Sequence, residues 1–233
     1  MQSRTNGITQ GKRTNNRASG PLQDITKHIN LLSDRVHERL GDQERTLVAI
    51  AGAPGSGKTT LAGELGRRLR DQKVPAMVVP MDGFHLDNAI LDERGLRPRK
   101  GAPETFDADG FIHLINRLRE NVEVIAPIFD RTRDISIAGA VAIPAKCPVV
   151  IVEGNYLMFD EDPWRSLAPL WDITAWVDTP MSTLRSRLIQ RWLSLNYSRA
   201  AATRRAEGND IPNAERIVLN ALPCQLTLTG EAD

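Results

Sequence analysis

The chain has 233 residues, enough for one α/β domain with additions and short for two. Its 30 Lys and Arg against 29 Asp and Glu leave a net charge of +1, and aromatics make up only 5% of residues. That balance argues against a nucleic-acid partner or a base-stacking platform, and no apolar run is long enough to span a membrane, so a soluble cytoplasmic protein is expected.

Residues 1–20 carry Arg4, Lys12, Arg13 and Arg17 among Asn, Thr, Gly and Ser, and have little to bury. They read as a disordered tail. A transit peptide is the alternative, because no acidic residue precedes Asp24, but an amphipathic apolar face is missing. Over 21–45, Ile25, Ile29, Leu32, Val36 and Leu40 recur at helical spacing and predict a helix packed onto the domain that follows, 46–233.

Residues 46–51 predict a buried strand, and Leu61, Leu65 and Leu69 one face of a helix. Between them stand Gly52, Ala53, Pro54, Gly55, Ser56, Gly57, Lys58 and Thr59, followed by Thr60, a complete P-loop in its required context. Such a turn aims backbone N–H groups and the positive end of the helix at one point. Lys58 adds a cation for the outer phosphates, and the Thr59 hydroxyl can ligate Mg²⁺. A nucleoside triphosphate site follows. ATP is expected, since no guanine-reading Asn-Lys-x-Asp block is present.

A short strand is predicted over 75–80. Phe111, Leu114, Ile115 and Leu118 mark a helix with Asp109 as N-cap. Residues 122–129 and 135–143 read as a hairpin, 148–152 and 173–177 as core strands, and 225–229 as a last strand. Met181, Leu184, Leu188, Trp192 and Leu195 stripe a long helix, and 209–213 reads as a loop in which Asn213 caps a short helix. Cys147 and Cys224 are too few for a disulfide framework or a zinc site and are expected to be buried small hydrophobes. Strands alternating with helices predict an α/β three-layer sandwich with a mainly parallel central sheet, binding its ligand beyond the carboxyl ends of the strands.

Three acids follow predicted strands: Asp82, Glu153 and Asp178. A carboxylate there can hold Mg²⁺ or accept a nucleophile's proton, and can also be an ordinary loop acid. Glu153 ends a hydrophobic strand, the Walker-B arrangement, and is expected to position Mg²⁺ across from Thr59, with Gly154 letting the backbone pass close to the nucleotide. Asp178 reads as part of a turn and N-cap.

The P-loop, Asp82-Gly-Phe, the block 99–107, Pro127-Ile-Phe-Asp130 and Val152-Glu-Gly154 together resemble the P-loop kinases that include uridine kinase, phosphoribulokinase and type I pantothenate kinase. The Met-Asp-Gly-Phe-His-Leu form at 81–86 is most similar to the bacterial fructose-transport-system kinases. The resemblance implies that Asp82 is the general base for a substrate hydroxyl attacking the γ-phosphate. It also implies a helical lid at about 182–208 whose Arg187 and Arg191 neutralise transferring charge; four-residue spacing opposite a core stripe is equally what a solvated basic face gives. The substrate wall is expected from Asp82, His85, Lys100, Asp107, Asp130 and Arg131. Lys100 and Arg131 suit an anionic group and Asp130 hydroxyls, though each also suits an ordinary surface position. The implied activity is ATP- and Mg²⁺-dependent phosphorylation of a small metabolite by a monomer or homodimer, with a sugar or related polyol favoured over pantothenate or a nucleoside. A nucleotide-binding regulator that phosphorylates no metabolite is the alternative of another class.

Overall fold

The structure, a computed structural model, describes residues 25–42 and 44–229. The tail expected over 1–20 and residues 21–24 lie outside the described residues. In chain order the elements are α1 (Thr26–Arg39), β1 (Thr46–Ala51), α2 (Lys58–Asp71), β2 (Ala76–Pro80), α3 (Asn88–Glu93), α4 (Ala108–Arg119), β3 (Val124–Asp130), β4 (Ile135–Ile143), β5 (Val149–Gly154), β6 (Ile173–Asp178), α5 (Met181–Leu193), α6 (Arg199–Arg205), α7 (Ile211–Leu219) and β7 (Leu226–Thr229).

Five strands pair in parallel in the order β2-β5-β1-β6-β7, with Ile50 level with Glu153 on one side and Ala175 on the other. β1 and β5 are buried along their whole length, as their unbroken apolar runs require of strands covered on both faces. Alternate residues serve opposite layers. Val48, Ile50, Val149 and Ile151 meet the stripes of α1 and α2. Leu47, Ala49, Val150 and Val152 meet Phe111, Leu114 and Ile115 of α4 and Leu184 and Leu188 of α5. The result is the expected three-layer sandwich. β1 has β5 on one side and β6 on the other, so the chain reverses direction across the sheet there and leaves a crevice at the carboxyl ends.

At the opposite end, Arg45 is only 3% exposed, and its guanidinium donates to five carbonyls, those of Leu118, Val122, Pro144, Ala145 and Cys147. It ties the end of α4, the start of β3 and the loop before β5 to the entry of β1. Cys147 is buried and Cys224 half-buried, both as free thiols, and burial pushes the Cys224 thiol up to about 11.

Several expectations shift locally. Asp107, not Asp109, caps α4, its Oδ1 accepting from Gly110 N at 2.9 Å. Asp178 closes β6, and no side chain caps α5, whose N-cap is Pro180. α5 stops at Leu193, leaving Leu195 beyond it and 55% exposed. Residues 209–213 are not a loop: a π-turn, Ala206–Asp210, runs directly into α7, and Asn213 lies inside that helix. Pro212 stands directly after the π-turn, and with no N–H to donate it interrupts the regular hydrogen-bond ladder at that junction. β3 and β4 form a separate antiparallel pair whose register shifts between Ala126 and Ile128, packed against the turn Met81–Phe84. Among the described residues no helix is long and apolar enough to cross a membrane.

Candidate active site

The loop between β1 and α2 turns at Gly55 (φ +85°) and Gly57 (φ +100°), and Gly57 is the N-cap of α2. A glycine N-cap brings no side-chain oxygen, so the N-cap residue makes no side-chain bond to the N–H groups of the first turn. Such a helix start calls for an external anion. Lys58 is 8% exposed and curls back so that Nζ donates to Ala53 O at 3.2 Å. Burial lowers its pKa, opposed by Glu153 and Asp82.

Glu153, 4% exposed at the end of β5, accepts from Thr59 Oγ1 at 3.1 Å. Burial raises its pKa, with Lys58 acting in the other direction. Gly154 is required by packing against the turn after β2. A Cβ there would stand 2.5 Å from Met81 Cβ and 2.9 Å from Met81 Sδ, so glycine lets β5 pass directly under the turn after β2.

That turn carries Asp82. Burial opposes ionisation of its carboxyl, but Arg131, aided by His85, Lys58 and Arg191, outweighs burial and holds the pKa below its ordinary value. Arg131, just after β3, is ion-paired with Asp82. His85 lies between two rings, with centroids 4.0 Å from Phe106 and 4.5 Å from Phe129. Backbone bonds from Leu86 N to Thr105 O and from Asp107 N to Phe84 O fasten this segment to the block before α4. His85 Nδ1 is 2.8 Å from the Asp82 carbonyl oxygen, and burial lowers the pKa of the ring.

These groups face one cavity of about 590 Å³. Its lining takes in Gly55, Gly57, Lys58, Thr59, Asp82, His85, Lys100, Arg131, Glu153 and Arg191 from the expected set. Pro54 also reaches it, whereas Gly52, Ala53, Ser56 and Thr60 shape the P-loop and the first turn of α2 from behind. Asp107 and Asp130 do not line the cavity. Asp107 is spent on the α4 cap. The Asp130 carboxylate closes the β3–β4 turn, accepting from Thr132 N, Arg133 N and Arg133 Nε at 2.9, 3.0 and 2.7 Å. Arg187 points to the back of the P-loop, donating to Gly55 O at 3.0 Å, while Arg191 one turn later lines the cavity.

Sequence reasoning missed part of the wall. Asp210, in the π-turn before α7, accepts from the Trp192 indole and lines the cavity with Trp192, Tyr197 and Arg205. Arg205 stacks over Trp192 at 5.1 Å. Asn209 and Asn213 donate to the carbonyls of Lys100 and Gly101 at 3.0 and 2.8 Å, and Tyr156 Oη donates to Gly101 O at 2.6 Å. The 209–213 block therefore buttresses the Lys100 loop. Its one local signal was a polar pair bracketing a proline.

The sequence profile of the "Phosphoribulokinase / Uridine kinase family" matches residues 47–194. The uncharacterized protein YggC of Escherichia coli (strain K12) is 37% identical over 81% of this chain and 79% of its own length. A Schizosaccharomyces pombe protein provisionally named a uridine kinase is 32% identical over 88% of this chain and 91% of its own. A crystal structure from Silicibacter sp. TM1040, provisionally named a fructose transport system kinase, superposes with a TM-score of 0.82 at 52% identity, covering 85% of this chain and 98% of that one. The chain belongs to the phosphoribulokinase and uridine kinase family of P-loop kinases.

Proposed function

We propose that this kinase transfers the γ-phosphate of ATP to a hydroxyl of a small polyol or sugar, with Asp82 as general base. The observation that carries the reading is the convergence of Lys58, Thr59, Glu153 and an ionised Asp82 on one cavity at the carboxyl ends of β1, β2 and β5. A protein that only senses nucleotide has no use for a carboxylate held charged beside the phosphate site.

In the reaction the acceptor hydroxyl oxygen bonds to the γ-phosphorus, the bond from that phosphorus to the β–γ bridging oxygen breaks, and Asp82 takes the hydroxyl proton. ADP leaves with the electron pair of the broken bond. The P-loop N–H groups and Lys58 hold the β- and γ-phosphates, and Arg191 is placed to meet charge on the transferring group. Thr59 and Glu153 offer a hydroxyl and a carboxylate 3.1 Å apart, a donor set that fits Mg²⁺ bound mainly by phosphates and water. When bound, that ion supplies charge neutralisation between the β- and γ-phosphates. The preference for a sugar or polyol leans on the name of the Silicibacter relative and on the character of the cavity wall.

The test is ADP release from Mg·ATP across sugars, polyols, nucleosides and pantothenate. Substrate-dependent release that vanishes in Asp82→Asn, with nucleotide binding intact, supports the reading. ATP binding without stimulation by any compound, and no change in Asp82→Asn, supports a nucleotide-binding regulator instead.

A further inference from the structure

Beyond the P-loop, the cations of the cavity wall other than Arg191, which the proposed reaction uses on the transferring phosphate, are engaged with the protein. An ammonium has three N–H donors, and all three of Lys100 are taken, by Asn88 Oδ1 at 2.7 Å, Asp134 O at 2.9 Å and the Asp134 carboxylate at 3.0 Å. Arg131 is paired with Asp82, and Arg97 with Asp92 at 3.0 Å. Arg205 donates to Pro98 O at 2.8 Å while its plane covers Trp192. The groups that suited an anionic substrate in the sequence are therefore engaged with the protein, and Lys100 works as a structural strut.

The hydrogen-bond acceptors of the same wall are open. The Trp192 indole occupies Oδ2 of Asp210 and leaves Oδ1 with no partner among the described residues. His85 Nδ1 faces a carbonyl oxygen, which only accepts, so the proton sits on Nδ1 and Nε2 carries a lone pair. Nε2 likewise has no partner among the described residues. Asn155, also in the lining, buries its Oδ1 with no hydrogen-bond partner among the described residues. A chain of contacts ties Asp210 to the end of the cavity that holds Asp82. Asn209, next to Asp210, holds the Lys100 carbonyl; Lys100 Nζ lies 5.1 Å from the Phe129 ring; Phe129 stacks on His85.

We infer that Asp210 is a specificity-determining residue of the acceptor subsite, which with His85 Nε2 and the Asn155 amide reads hydroxyl groups, and that the subsite takes a neutral polyhydroxylated molecule and disfavours one bearing a carboxylate or phosphate. An anion placed there meets the Asp210 carboxylate, and among the described residues that wall leaves only Arg191 uncommitted, which the proposed reaction uses on the transferring phosphate, whereas a hydroxyl donates to Asp210 Oδ1 and to His85 Nε2. This rests on the kinase reading for the position of the reacting hydroxyl beside Asp82, but its test is a binding measurement that does not require turnover.

Calorimetric titration of the full chain, saturated with Mg²⁺ and a non-hydrolysable ATP analogue, compares D-sorbitol with D-gluconate and D-fructose with D-fructose 6-phosphate. The neutral member of at least one pair binds tighter by about tenfold or more, the scale of one hydrogen bond to a charged group. Asp210→Asn keeps an oxygen for the Trp192 indole. It weakens that neutral ligand by about tenfold, while affinity for the analogue and the melting temperature stay at wild-type values. Tighter binding of the anionic member, or no binding of any of the four, overturns the inference. So does an Asp210→Asn variant that binds the neutral ligand as before or loses the nucleotide instead. Neutral binding without phosphate transfer leaves the inference standing and sinks the kinase reading.

Discussion

The guanidinium of Arg131 is ion-paired with the carboxylate of Asp82, although the two residues are brought together from the β3–β4 turn and the turn after β2. The pair keeps the proposed base charged in a place where burial alone would favour its neutral form. It also occupies an oxygen of that base, so the acceptor hydroxyl competes with Arg131 for it.

The first prediction concerns pH. The folded pKa of Asp82 lies below its ordinary value, so the base form exists above that pKa and activity falls as pH drops through it. In Arg131→Ala, burial still raises the pKa while the largest opposing charge is gone. The acid limb of kcat/KM moves to higher pH. A pH–rate profile of the variant checks this, and a limb that stays in place removes Arg131 from control of the base.

Glu153 gives the second prediction. Replacing it by Gln keeps the shape beside Thr59 and removes the charge. If the residue orients Mg²⁺ and its waters, the Mg²⁺ concentration for half-maximal ADP release rises about 10–100-fold. Its folded pKa is raised, so the native state binds more protons than the unfolded state and stability falls as pH climbs through the window between the two values. Glu153→Gln lacks that penalty. At neutral pH without nucleotide it melts above the wild type in calorimetry; a lower melting temperature contradicts the burial argument.

Much of this was legible in the sequence for a physical reason. β1 and β5 are continuous apolar runs, α1 and α2 are regular stripes, and the P-loop is a local conformation fixed by adjacent glycines. What stayed hidden depends on contacts between distant segments. Asp107 and Asp109 are two equally plausible caps two residues apart, and only the backbone path chooses Asp107. Lys100 looked available because the sequence cannot show that Asn88 and Asp134, 12 and 34 residues away, use all its donors. Asp210 joins the site through Trp192 and a π-turn, a rare helical form with no sequence signature of its own.

Arg45 leads to a stability prediction. It is buried, its hydrogen-bond acceptors among the described residues are all carbonyls, and it lies at the end of β1 remote from the cavity. Arg45→Met fills part of the volume but leaves several buried carbonyls unpaired, at about 1–3 kcal/mol for each one that water does not reach. A total loss of about 3 kcal/mol lowers the melting temperature by roughly 6–12 °C for a chain of this size. Urea unfolding measures the loss. KM for ATP, determined well below the transition, is unchanged, because the P-loop lies at the other end of the strand.

The last prediction uses backbone geometry to move Asp82 without altering it. Gly83 follows the proposed base, and a Cβ built there would lie 2.5 Å from the carbonyl oxygen of Pro127 and 2.7 Å from its carbon. These are backbone atoms of β3, at the point between Ala126 and Ile128 where its register with β4 shifts, and no side-chain rotation relieves the clash. In Gly83→Ala either the turn Met81–Phe84 or β3 gives way; the first carries Asp82 and the second leads directly into Arg131. A displacement of about 1 Å at a reacting group costs on the order of 10²-fold in rate. The expected result is therefore a kcat lower by about 10²-fold with nucleotide affinity at its wild-type value, since the P-loop lies on separate elements. Wild-type kcat in a folded Gly83→Ala protein would show that the position of Asp82 is not what limits the reaction.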